Sequence, residues 1–245
     1  MDNDATIVIS GAGSGIGRAA AVRLHGDGVH VTAVGRREEP LRQLAAALTS
    51  GIDVVAADVA TPAGASLVAD RLRATSRPCR GVVAAAGGLS PAPTGLDGVR
   101  RGWQDTFESN VLTAVILVEA LLPTLEQTGG RVVLLSSVAA LRGSGGGAYG
   151  AMKAALHAWM FDLATALGAH GGTANVVAPG FVPDTEFWAG RLTEQSRTQR
   201  AAQTLVGRAG TPQEVASLIG WLLGPDGGWV TGQVLSPNGG VVLGR

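Results

Sequence analysis

Short apolar runs recur along the chain at 5–9, 29–34, 52–57, 81–86, 131–135 and 173–178, and most are followed by a longer stretch whose apolar residues return at helical spacing. The helical stretches fall at 18–25, 40–48, 63–74, about 98–125 and from Tyr149 onward. Short apolar strands that alternate with helices of this length imply right-handed crossovers and a parallel sheet buried on both faces. The pattern therefore predicts an α/β protein, a parallel sheet with helices on both faces, in one domain covering 1–245. Ligands of such sheets sit at the carboxyl ends of the strands.

The first run leads into Ser10-Gly11-Ala12-Gly13-Ser14-Gly15-Ile16-Gly17. Strand, glycine turn, helix is the order a phosphate site requires. Glycines let the backbone approach a pyrophosphate, and the free N–H groups opening the next helix hold the anion. The spacing is not the literal G-x-G-x-x-G, and a plain strand-to-helix turn is the competing reading. The second run ends in Gly35-Arg36-Arg37. An acidic residue at that end binds a ribose 2′-hydroxyl, whereas an arginine accommodates a 2′-phosphate, so Arg36 and Arg37 favour NADP(H) over NAD(H). They could equally begin a solvated helix with Glu38 and Glu39 as partners. Asp58-Val59 and Ala86-Gly87 close the third and fourth runs, placed to meet adenine, ribose and phosphates. Asp58 reads equally well as a helix cap.

The candidate chemistry lies at the end of the fifth run. Ser136 and Ser137 follow it, and Tyr149 and Lys153 stand four residues apart on the next helix, so phenol and ammonium share a face. A cation fixed near a tyrosine favours phenolate and lowers a pKa that is ordinarily about 10, which makes the pair a usable acid or base. On its own such a pair also describes an ordinary solvated helix face. Asn110 falls inside the predicted helix at 98–125, where Asn is a poor choice because its side chain competes for backbone hydrogen bonds. A helix distortion, a polar core contact or a place in the active site would each account for it.

Composition narrows the function classes. With 46% apolar residues in 245 the chain can bury one large core. Lys+Arg and Asp+Glu both total 19, so nucleic acid is not an expected partner. The single Cys79 forms no internal disulfide, and the start Met1-Asp2-Asn3-Asp4 is acidic where a signal peptide is basic, which predicts a reduced, cytoplasmic protein. No apolar run reaches the roughly 18 residues needed to span a bilayer, and no His, Cys or carboxylate group has metal-ligand spacing.

In order and spacing these motifs strongly resemble the short-chain dehydrogenase/reductase family. They are Ser10-Gly11-x-x-x-Gly15-x-Gly17, Asp58-Val59, Ala86-Gly87, Asn110, Ser136-Ser137, Tyr149-x-x-x-Lys153, Asn175, Pro179-Gly180, Val230-Thr231-Gly232-Gln233 and Asn238-Gly239-Gly240. The resemblance covers essentially the whole length. It implies a single Rossmann-type, doubly wound domain with about seven parallel strands, and a catalytic set of Asn110, Ser137, Tyr149 and Lys153. Tyr149 would protonate a carbonyl oxygen as hydride arrives from nicotinamide, Ser137 would orient that oxygen, Lys153 would lower the phenol's pKa and hold the ribose, and Asn110 would support a water relay. Cofactor contacts are expected at Ser10, Gly11, Ser14, Gly15, Ile16, Gly17, Arg36, Arg37, Asp58, Val59, Ala86, Gly87, Tyr149 and Lys153, and at Pro179, Gly180, Val182 and Thr185 after the sixth strand.

Two departures stand out. Ala84 and Ala85 occupy positions where the family usually has asparagines, which calls the Asn110 neighbourhood into question. The family's spacing back from Tyr149 lands on Ser136, whereas the local match lands on Ser137; a one-residue deletion in the glycine-rich loop at 143–147 favours Ser137. A substrate lid is expected at about 181–208, where Phe187 and Trp188 are lid core or substrate contacts, and Arg191 and Arg208 are solvated or meet an anion. His157 repeats the four-residue spacing after Lys153, which would suit a relay, but a turn past the cation it reads rather as a surface or interface residue. Ala151, Ala154, Ala155 and Ala158 allow close helix approach, which predicts a homodimer or homotetramer. The leading reading is an NADPH-dependent ketoreductase acting on a small carbonyl substrate; an oxidative alcohol dehydrogenase and a non-catalytic dinucleotide sensor are the alternatives.

Overall fold

The computed structural model describes residues 5–75, 77–90, 94–143, 147–183 and 185–244. Seven strands, β1 (Thr6–Ser10), β2 (His30–Gly35), β3 (Ile52–Ala56), β4 (Cys79–Ala84), β5 (Arg131–Leu135), β6 (Thr173–Val177) and β7 (Val234–Leu235), form one sheet. Their order is β3-β2-β1-β4-β5-β6-β7, and every neighbouring pair is parallel. Side chains alternate between faces, and both faces are apolar. Ile7, Ile9, Val31, Ala33, Val83 and Val133 point into one core, while Val8, Val34, Val82, Val132 and Leu134 point into the other.

The first core is covered by α1 (Gly15–Gly26), α2 (Glu38–Leu48) and α9 (Pro212–Leu223), the second by α3 (Pro62–Arg73), α5 (Thr113–Thr128) and α7 (Tyr149–Gly168). Three further helices, α4 (Gly95–Phe107), α6 (Ala139–Arg142) and α8 (Glu194–Ala202), stand outside these layers. The chain leaves β1 toward β2 on one side and reaches β4 on the other, so the carboxyl ends of β1 and β4 flank the crevice where the winding reverses.

The long helix expected at 98–125 is present, with a distortion at Asn110. It starts at Gly95, ends at Thr128 and is divided by a wide π-helical turn at Glu108–Leu112. The side chains of Ser109, Asn110 and Thr113 donate to the carbonyls of Asp105, Thr106 and Ser109, at 2.8, 3.0 and 3.0 Å, at the point where the regular ladder gives way. The distortion turns Asn110 inward. Taken as one helix, 95–128 is long and apolar enough to cross a bilayer, which counting uninterrupted apolar runs does not register. Leu117, Val118, Leu121 and Leu125 are instead buried in the core.

Candidate active site

A cleft of about 900 Å³ runs along the carboxyl ends of the strands. At one end Gly11 has φ +69°, and a Cβ there would stand 2.9 Å from the Ala85 and Ala86 backbone. On Gly17 it would meet the Gly11 carbonyl at 2.4 Å. The backbone is therefore packed too tightly for any other residue, and Gly15, Ile16 and Gly17 at the start of α1 line the cleft. A glycine turn opening onto the start of a twelve-residue helix fits the phosphates of a dinucleotide.

At the middle of the cleft β5 delivers two serines with opposite orientations. Ser137 faces the cleft and its hydroxyl hydrogen-bonds the Tyr149 phenol. Ser136 is buried and turns toward α7, donating to the Lys153 carbonyl at 2.9 Å and lying 2.8 Å from His157 Nε2. Lys153 is 3% exposed, and its Nζ donates to the Leu135 carbonyl at 2.8 Å and lies 5.9 Å from the Tyr149 ring centroid. Burial brings the ammonium down to about 8. Burial also pushes the Tyr149 phenol up to about 12, with only the Ser137 hydrogen bond acting the other way. The direction of the phenol's shift is thus set by burial, and Lys153 is not among its causes in this arrangement.

Asn110 is fully buried and clamps the turn after β4, its Nδ2 donating to the Gly88 carbonyl at 2.8 Å and its Oδ1 accepting from the Gly88 N–H at 3.2 Å. Ala84 and Ala85 therefore leave this neighbourhood bonded. A Cβ on Gly87 would stand 2.7 Å from Asn110 Oδ1 and 3.0 Å from Lys153 Nζ, so this glycine lets the two side chains meet the cleft wall together.

The family profile described as enoyl-(acyl carrier protein) reductase matches residues 11–242. The chain is a short-chain dehydrogenase/reductase. It is 30% identical over 254 residues to the short-chain reductase protein NovJ of Streptomyces niveus, covering 98% of this chain and 95% of that protein. To the 3-oxoacyl-[acyl-carrier-protein] reductase FabG of Escherichia coli it is 29% identical over 238 residues, covering 96% of each. The crystal structure of a glucose/ribitol dehydrogenase of the same family from Brucella melitensis superimposes with a TM-score of 0.90 at 28% identity, covering 98% of both chains. The resemblance read from the motifs and the doubly wound fold are borne out, and the chain is an NAD(P)-dependent oxidoreductase.

The remaining expected contacts of this dehydrogenase/reductase divide. Ser14, Ala86, Pro179, Gly180, Val182 and Thr185 line the cleft. Ser10 does not; its buried hydroxyl accepts from the Ala86 N–H at 3.1 Å and ties the first turn to the fourth. Asp58 accepts from the Ala60 N–H at 3.1 Å, as a turn cap does, and the Val59 side chain is buried in the core, so neither is part of the cleft wall. Arg36 and Arg37 are exposed at the end of β2, outside the lining, but Arg37 is paired with Glu186, which belongs to it.

Over the other end of the cleft lies the segment between β6 and α9. Phe187 stands 5.4 Å from Tyr149 and 5.1 Å from Trp188, Phe181 stands 5.4 Å from Trp188, and the Arg200 guanidinium lies 4.9 Å over the Trp188 ring. Arg191 donates to the Leu89 carbonyl at 3.2 Å, and Arg208 is held by Glu214 away from the lining. Sequence reasoning missed Glu186, Arg142 and Arg200 in the wall, and His157, expected at a surface or interface, turns instead to Ser136. Only the fold brings the first three to the cleft, whereas His157, four residues after Lys153, was within reach of helical spacing.

Proposed function

We propose that this chain is an NADPH-dependent ketoreductase in which Tyr149 is the general acid. The observation that carries the reading is the convergence of the Tyr149 and Ser137 hydroxyls on one point of the cleft with the Lys153 ammonium one turn below. Bound in the cleft, the nicotinamide cofactor supplies the hydride. Two hydroxyl donors aimed at one place suit an oxygen that gains negative charge, so Ser137 holds the carbonyl and Tyr149 gives up its proton. The Tyr149 phenol, held protonated by burial, is the group placed to give a proton to that oxygen. Lys153, near 8, binds the ribose and holds a proton exchangeable at neutral pH. Asn110, which fixes the Gly88 turn beside Lys153, is a positioning residue for it. The 181–208 segment acts as the substrate lid, its Phe187 ring against Tyr149 excluding water. Arginines where an acidic residue would select NADH support NADPH.

The test is NADPH oxidation against a panel of β-ketoesters, quinones and cyclic ketones, with Tyr149→Phe beside the wild type. Turnover should fall by about a hundredfold or more, while NADPH binding, read by nucleotide fluorescence, stays within about twofold. A phenylalanine variant with full turnover overturns the acid role.

A further inference from the structure

Arg37 and Glu186 are 149 positions apart in the chain, yet their side chains are paired across the phosphate end of the cleft. The Ser14 hydroxyl, from the glycine turn, donates to the same carboxylate. The residue before it, Thr185, is seated on that turn as well, since a Cβ on Gly15 would stand 3.2 Å from the Thr185 Cβ. One strap therefore crosses the glycine turn at two consecutive residues and ends on an arginine at the close of β2. Arg37 pulls the Glu186 carboxyl below its ordinary range, so it is an anion at neutral pH.

A guanidinium and a hydroxyl at the end of β2 and in the glycine turn are the donors that a 2′-phosphate needs and a 2′-hydroxyl does not. We infer that Glu186 is a specificity-determining residue: its carboxylate takes the donors of Arg37 and Ser14 that the 2′-phosphate of NADPH must claim, so NADPH displaces the strap and NADH leaves it in place. The inference rests on the proposed cofactor site but does not follow from it, because arginines at β2 alone predict an undivided preference for NADPH. Displacement has a second effect. Glu186 opens the turn Glu186–Trp188, whose Phe187 packs on Tyr149, so the 2′-phosphate is felt at the ring that faces the substrate.

The pair is about half exposed on each side, 62% and 51%, so its effect is modest and salt-sensitive. Dissociation constants for NADPH and NADH, read by nucleotide fluorescence on the full chain, test it. Glu186→Gln should tighten NADPH binding by about threefold or more and leave NADH within about twofold. The gap should narrow in 0.5 M salt and disappear when Arg37→Ala is added. Equal tightening of both nucleotides, or weakening of both, overturns the inference: the strap would then be a general lid. A wild type that binds neither nucleotide overturns the cofactor reading itself, a different outcome from a wild type that binds both with Glu186→Gln making no distinction. The exchanged side chain is exposed, and circular dichroism checks that each variant is folded.

Discussion

Lys153 and Tyr149 stand one helical turn apart, yet burial moves both toward neutrality. The lysine is brought from 10.5 to about 8. Its folded-state value lies below the unfolded one, so the unfolded chain binds more protons between those two values. The charged lysine thus costs stability below pH 8, and the cost fades as pH rises toward 10.5. Lys153→Met should therefore raise stability at pH 7 by up to about 3 kcal/mol while abolishing turnover, the trade expected of a site residue kept at the expense of the fold. Thermal unfolding at pH 7 and pH 10 checks it: the gain should be clear at the first and small at the second. No gain at pH 7 would mean that the Leu135 carbonyl and its surroundings fully compensate the buried ammonium. Tyr149, Lys153 and the glycines were legible as residues, because helical spacing and glycine chemistry are local. The sign of the tyrosine's shift was not, since it depends on how much protein covers the ring.

Among elements, the segment carrying α8 lines one end of the cleft. Its charged lining at the substrate end is Arg142, Arg191 and Arg200; the carboxylate among the described lining residues, Glu186, lies at the phosphate end. Arg191 is engaged with backbone carbonyls, Arg142 donates to Gln203 at 3.4 Å and Arg200 lies over the Trp188 ring, so the cleft wall at this end is positively charged. A β-keto acid should therefore be reduced with a higher kcat/KM than its methyl ester, and Arg200→Ala should cut that preference by about tenfold through KM rather than kcat. An equal loss for acid and ester would assign Arg200 to packing on Trp188 alone. Helix periodicity located α4 and α5 as one stretch, and only the misplaced Asn110 pointed to a distortion inside it, because a π turn is made by side chains competing for carbonyls within an otherwise helical pattern. The two-residue β7 carries too few positions for any pattern; it pairs with Val176 and Val177 once β6 is in place.

For the whole molecule, an apolar stripe remains uncovered. Leu96, Val99, Trp103 and Phe107 recur at helical spacing on α4 and are 88%, 51%, 44% and 41% exposed, and Phe161 on α7 is 54% exposed. Ala151, Ala155 and Ala158 on α7 are exposed too. Large apolar side chains beside small ones make a face that a second helix pair can approach closely, which supports assembly through α4, α5 and α7. Light scattering on a sizing column should give a dimer or tetramer, and Phe161→Asp with Trp103→Asp should halve the mass with the circular dichroism spectrum retained. A wild-type monomer, or a double variant of unchanged mass, would rule that face out.

The sequence by itself determined the alternation of parallel strands with helices and the line of groups at the strand ends, because strand and helix periods, glycine turns and a four-residue spacing are each set by near neighbours in the chain. Tertiary structure alone decided that Ser136 turns away to His157, how far the phenol and ammonium are driven from their ordinary pKa values, and that Glu186 reaches Arg37. Those depend on burial and on contacts across more than a hundred residues, and no local pattern carries either quantity.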